Sequence, residues 1–149
     1  MSTGAGVLGP LLVGKVVTAL RRIHYVFEGA VDEQEGAIEF TLADGDVFLF
    51  DSGSDGSELR VKRERWVDPF ESPLSPENVE YVAEYGKYTA FDVSSSAPYA
   101  RMIGAPIERA EEVLLPDGRV AGMVLTIGGS VVRFETLADE MRVEIASAP

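Results

Sequence analysis

The strongest constraint on this chain is that it states one pattern twice. In Gly36–Val61, Ile38-Glu-Phe-Thr-Leu42 leads through Ala43-Asp-Gly-Asp46 into Val47-Phe-Leu-Phe50, and Glu58-Leu-Arg-Val61 closes the unit. In Gly122–Val143, Met123-Val-Leu-Thr-Ile127 leads through Gly128-Gly129-Ser130 into Val131-Val-Arg-Phe134, and Glu140-Met-Arg-Val143 closes it. Parity is kept as well. Ile38, Phe40 and Leu42 share one face by two-residue alternation, as do Met123, Leu125 and Ile127, and Phe48 and Phe50 answer Val132 and Phe134. An Asp-Gly or Gly-Gly pair between two such runs supplies the positive φ angles of a tight hairpin. The expectation is a mainly β (α+β) fold, built from two tandem copies of an antiparallel β-meander related by pseudo-symmetry, with one short helix in the connecting insert.

The pattern starts upstream of the hairpins. Pro10-Leu-Leu-Val-Gly14 is echoed by Ala100-Arg-Met-Ile-Gly104, each followed three residues later by a branched apolar residue, Val17 or Ile107. A single domain (1–149) thus divides into copy one (10–65), an insert (66–99) and copy two (100–145). The run Lys15–Phe27 carries a helical stripe (Val16, Leu20, Ile23, Phe27) and also a strand alternation broken by Arg21. Its β-branched and aromatic content favours strand, and strands at 15–27 and 107–115 give each copy four. On that reading His24 shares a mixed, partly exposed face with Thr18, Leu20 and Arg22. Met1–Gly9 reads as a flexible tail, and Gly29–Glu35 and Pro116–Arg119 as turns. In the insert, Ser75 as N-cap, Pro76 at the first helical position and Gly86 as C-cap delimit a helix over Pro76–Tyr85, with Val79 and Val82 as its buried side. Lys87–Val93 resembles a strand.

Composition removes several function classes. Without cysteine there is no disulfide framework, thiolate metal site or cysteine nucleophile. A net charge of −12 opposes binding to a nucleic-acid backbone. No stretch approaches the roughly 20 apolar residues of a membrane span, and no basic, apolar leader pattern opens the chain. The expectation is a cytoplasmic protein that binds neither nucleic acid nor membrane. Asp51-Ser-Gly-Ser-Asp-Gly-Ser-Glu58 opens like an EF-hand loop, but Gly53 and Lys62 stand where ligands belong, so no metal is expected. Adjacent pairs such as Glu111-Glu112 point to opposite strand faces and do not converge as catalytic carboxylates. The basic run Arg60–Arg65 suits an exposed edge strand, where charge blocks aggregation. No nucleophile elbow, dinucleotide fingerprint or zinc-protease motif occurs. Neither a catalytic residue nor a cofactor is expected.

What remains is an interaction surface. Asp32–Asp92 holds 16 acidic against 5 basic residues, a net −11. The same segment carries most of the aromatics outside the meander pattern. Aromatic anchors within a charged surround are what protein-binding hot spots are made of, and acidic patches steer basic partners. The residues selected on that ground are Asp51, Asp55, Glu58, Trp66, Asp68, Phe70, Tyr81 and Tyr85. A purely structural account competes for Trp66 and Phe70, as plugs at the end of the sheet.

The pattern Ile103-Gly104-x-x-Ile107, a hairpin, then Asp139-Glu-Met-Arg-Val143, in a small acidic cysteine-free chain, resembles bacterial immunity proteins of polymorphic toxin systems and small uncharacterised bacterial domains near them. The resemblance covers the repeat units, not the insert, and assigns no functional residue. It implies a cytoplasmic inhibitor that occludes the active site of a basic toxin. The leading expectation is a non-catalytic acidic protein that binds and blocks a basic partner protein. Two other classes stay open: a small-ligand-binding or hydrolytic protein with a pocket between the repeats, using His24, and a subunit that self-associates through a sheet edge. Monomer and dimer are both compatible with the sequence.

Overall fold

The computed structural model describes residues 6–53, 56–70 and 74–147. A short helix α1 (Leu8–Leu12) precedes strands β1 (Val17–Phe27), β2 (Ala30–Leu42), β3 (Val47–Ser52) and β4 (Leu59–Lys62). Helix α2 (Pro76–Tyr85) and strand β5 (Lys87–Asp92) follow, then a 3-10 turn at Tyr99–Met102. Strands β6 (Ile107–Leu114), β7 (Val120–Ile127), β8 (Ser130–Leu137) and β9 (Glu140–Ser147) complete the chain. The fold is mainly β, and all nine strands join one curled antiparallel sheet.

Strands β1 to β4 pair in sequence order, and so do β6 to β9. The hairpins fall in the register their alternation demands, with Phe40 opposite Phe48 and Leu125 opposite Val132. Two corners close the curl. At one, Glu35 of β2 pairs with Arg142 of β9. At the other, Val16 bridges Pro106, flanked by bonds from Gly14 N to Ile107 O and from Ile107 N to Lys15 O, both 2.8 Å. Val17 N donates to Ala105 O at 3.0 Å, and Gly104 N to Val17 O at 2.7 Å. One apolar core fills the interior. Phe50 lies 4.6 Å from Phe134 and 5.8 Å from Phe40, ring centre to ring centre. Leu12 and Met102, both fully buried, join the same cluster from α1 and the 3-10 turn.

Several expectations are corrected. The N-terminal stretch is not all tail, since Leu8 opens α1 and is buried. The turn before β2 is only Glu28-Gly29, both at positive φ, and Ala30–Glu35 continues as strand. His24 is buried, not partly exposed. The cause is a bulge: Val17 pairs with Leu42 but Ala19 with Thr41, leaving Thr18 as the extra residue. A bulge reverses parity, so Val17, Leu20, Arg22 and His24 all face inward. Buried Arg22 donates to Ala37 O, Gly36 O and the Tyr99 hydroxyl, the last at 2.8 Å. Helix α2 has the expected ends, with the Ser75 hydroxyl accepting from Asn78 N at 3.1 Å. It buries none of its residues, however, and Val79 is exposed rather than packed. No helix among the described residues is long and apolar enough to cross a membrane.

Candidate functional site

The outer face of β1 to β3 carries an apolar patch where an outer face is normally wet. Ile23, Ala37 and Leu49 project away from the main core and form a second cluster beneath Trp66 and Ala90. Trp66 is anchored through its backbone. Glu39, 1% exposed, accepts Arg21 Nε and Nη2 and the Trp66 N–H, each at 2.7 Å. Arg21 Nη2 also donates to Trp66 O at 2.9 Å. Burial alone would raise the Glu39 pKa. The Arg21 hydrogen bonds, the Trp66 N–H and the guanidinium charge outweigh it and hold the carboxyl below its ordinary value, so it stays ionised.

Beyond Trp66 the chain leaves the sheet, and two further anchors shape its path. One oxygen of Asp68 accepts Phe70 N at 2.8 Å, and the other pairs with the Lys87 ammonium. Phe70 stacks on Tyr81 at 5.4 Å, and Tyr81 lies 5.0 Å from Tyr85, an aromatic wall along α2. Across from it, Tyr25 and Tyr88 meet edge to face at 5.4 Å. Gly86 makes the turn between wall and strand at φ +75°, where a Cβ would sit 2.4 Å from Val26 O.

A pocket of 510 Å³ opens between these walls, floored by Ile23 and Ala37. Three acidic residues line it from three places: Glu35 from β2, Asp51 from β3 and Asp139 from the β8–β9 turn, the last with its carboxylate against Gly56. Glu35 is delivered by the kink at Gly36, whose own Cβ would collide with Ile23 O at 1.8 Å. Among the described residues none of the three forms an ion pair. Desolvation pushes the pKa of Asp51 and of Glu35 up, and the Tyr88 hydroxyl, desolvated beside Glu35, is pushed up to about 12. The pocket therefore sets desolvated carboxyls without ion-pair partners within an aromatic surround. No group of three or more His, Cys, Asp or Glu among the described residues is placed to hold a metal ion.

Of the residues selected from sequence, Asp51, Trp66, Phe70, Tyr81 and Tyr85 line this pocket, and Asp68 braces its rim through Lys87. Glu58 turns away toward β7, 3.7 Å from Arg119, and Asp55 lies outside the described residues. Tyr25, Glu35, Tyr88 and Asp139 were not selected. His24 is not among the lining residues: Nδ1–H donates to Glu35 O at 3.0 Å, and burial lowers its pKa, leaving the ring neutral.

The raised pKa of Asp51 has a testable sign. The folded state holds this proton to higher pH than the unfolded chain, so the site subtracts stability as pH rises through and above about 4. Asp51→Asn is expected to raise Tm at pH 7 by up to about 3 °C and to leave it unchanged near pH 3. Thermal melts at the two pH values check this, and a lower Tm at pH 7 would contradict the desolvation account.

Comparison of the chain with protein-family models, with curated proteins and with solved structures finds no match.

Proposed function

We propose that this is a non-catalytic acidic binding protein whose pocket-bearing face engages a basic partner protein, with an immunity-type inhibitor of a toxin as the leading form. One observation carries the reading. Helix α2 contributes no buried residue to the fold, yet it holds Tyr81 and Tyr85, each about half exposed, over a pocket lined by Glu35 and Asp51, which form no ion pair among the described residues. A helix that adds nothing to the core is retained for what it offers outside. Glu77, Glu80 and Glu84 extend the negative field along it.

The reading includes an internal duplication. In its support, the four hydrogen bonds at the Val16–Pro106 corner are reciprocal: shifting each residue number by 90 exchanges one bond of a pair for the other. The bulge after Val17 likewise has a counterpart after Ile107. Equivalent positions then isolate what the first meander acquired. Leu49, under Trp66, corresponds to exposed Arg133, which pairs with Glu135.

Capture from a lysate of the native host, run in parallel with wild type and a Tyr81→Ser/Tyr85→Ser variant, tests the proposal. Both tyrosines are exposed, so the variant folds. The expected result is a basic protein retained by wild type, released as salt rises from about 0.1 to 0.5 M, and bound at least 30-fold more weakly by the variant. Equal retention by both proteins, or retention indifferent to salt, would overturn it. A second reading, a small-ligand site, is favoured by the enclosed volume and by the contribution of Asp139 from the second meander. Its catalytic form relied on His24, which lies outside the pocket.

A further inference from the structure

We infer that the pocket beneath α2 is a receptor for one organic cation, an alkylammonium or guanidinium head carried on an apolar stem. This deepens the preceding reading, from which it takes only the face involved. Three features specify the ligand. The aromatic wall of Phe70, Tyr81 and Tyr85 offers electron-rich ring faces, and such faces attract cations within about 6 Å of the ring centre. Glu35 and Asp51 supply carboxylates, and among the described residues neither forms an ion pair. The floor of Ile23 and Ala37 is apolar, which suits a stem and not a hydrated metal ion.

The nearest internal cation does not fill this role. Lys87 lines the pocket, but its ammonium is committed to Asp68. Arg60 and Lys62 act on Asp51 from the neighbouring strand β4 without an ion pair to it, and the Tyr88 hydroxyl, pushed up to about 12, is neutral at pH 7. Glu35 and Asp51 are the groups whose protonation a bound cation would oppose. Binding is therefore expected to weaken as pH falls into the range where these two carboxyls take up protons.

Two sources share this chemistry, a free amine and the arginine or lysine side chain of a partner. The probes are choline, its uncharged carbon isostere 3,3-dimethylbutan-1-ol, arginine amide, and a peptide with one arginine flanked by glycine and serine. The readouts are emission of Trp66, the sole tryptophan, and amide NMR shifts of Ser52, Gly86, Tyr88 and Asp139. Choline or arginine amide is expected to saturate these shifts below about 10 mM, with the isostere at least 10-fold weaker. Tyr85→Leu and Asp51→Asn should each weaken binding about 3- to 10-fold and, at these partly open positions, remain folded. Preference for the peptide assigns the site to a partner's side chain. Preference for the free cations assigns it to a small molecule, which removes the protein-partner reading and leaves the cation receptor standing. Equal response to choline and its isostere, or no saturable shift with any cation, overturns the inference. A partner protein bound through α2 would survive that result.

Discussion

Replacing Phe134 with alanine is expected to destabilise the whole molecule by about 3–5 kcal/mol, and both meanders are expected to melt together. Phe134 is fully buried, 4.6 Å from Phe50 and 6.2 Å from Phe40, and those two rings belong to the other meander. Truncation removes apolar contact and opens a cavity where the two halves meet, and neither half can close it alone. A loss of that size lowers Tm by about 10 °C in a chain of this length. Phe134→Leu keeps most of the volume and should cost about 1–2 kcal/mol. Circular dichroism reports all strands, while Trp66 emission reports only the first meander. Coincident transitions are the expected outcome, and separate ones would mean that the halves are independently stable and do not depend on a shared core.

Replacing Glu39 with alanine should cost a similar amount, about 3–5 kcal/mol, by a different route. The carboxylate satisfies two guanidinium N–H groups and one backbone N–H in a nearly water-free place. Its removal strands Arg21 beneath Trp66 and frees the start of the excursion. Beyond the lowered midpoint, native-state Trp66 emission should shift to the red, a change a generic core defect would not cause. The pH dependence has the opposite sign to that of Asp51. Because the folded pKa of Glu39 is held low, its contribution is present above the unfolded value near 4.3 and is lost as pH falls below it. Glu39→Gln should therefore flatten the acid limb of the stability profile. An unchanged acid limb would show that the pair is not what stabilises the fold at neutral pH.

These two sites differ in how far the sequence announces them. The phenylalanines lie on alternating runs joined by Asp-Gly and Gly-Gly turns, and such local chemistry survives into the fold unaltered. The ends of α2 were legible for the same reason, since Ser75, Pro76 and Gly86 act within one turn of themselves. Glu39 carried no such signal. Alternation places it outward, and only a segment arriving from 27 residues away covers it. The bulge at Thr18 hid the burial of Arg22 and His24, because one extra residue inverts every inference from parity downstream of it. Val79 was misassigned because a helix stripe shows which side is apolar, not whether anything comes to meet it. The pocket was half legible. Composition located Trp66, Phe70, Tyr81, Tyr85 and Asp51, whereas Glu35 depended on a kink at Gly36, Tyr88 on the edge pairing of β5 with β1, and Asp139 on the curl that brings β9 alongside β2. Glu58 was drawn off by Arg119 across the same curl.

The excursion between β4 and β6 is tied down where it departs, at Trp66, and where it returns, along β5, while the helix between these ties buries nothing. Such an arrangement makes α2 a replaceable cassette. The side chains of α2 can be exchanged without renegotiating the interior, because none of them is buried in it, whereas Gly86 at its end is held by the Val26 carbonyl. Sequence change along the helix can therefore accumulate while the scaffold stands still.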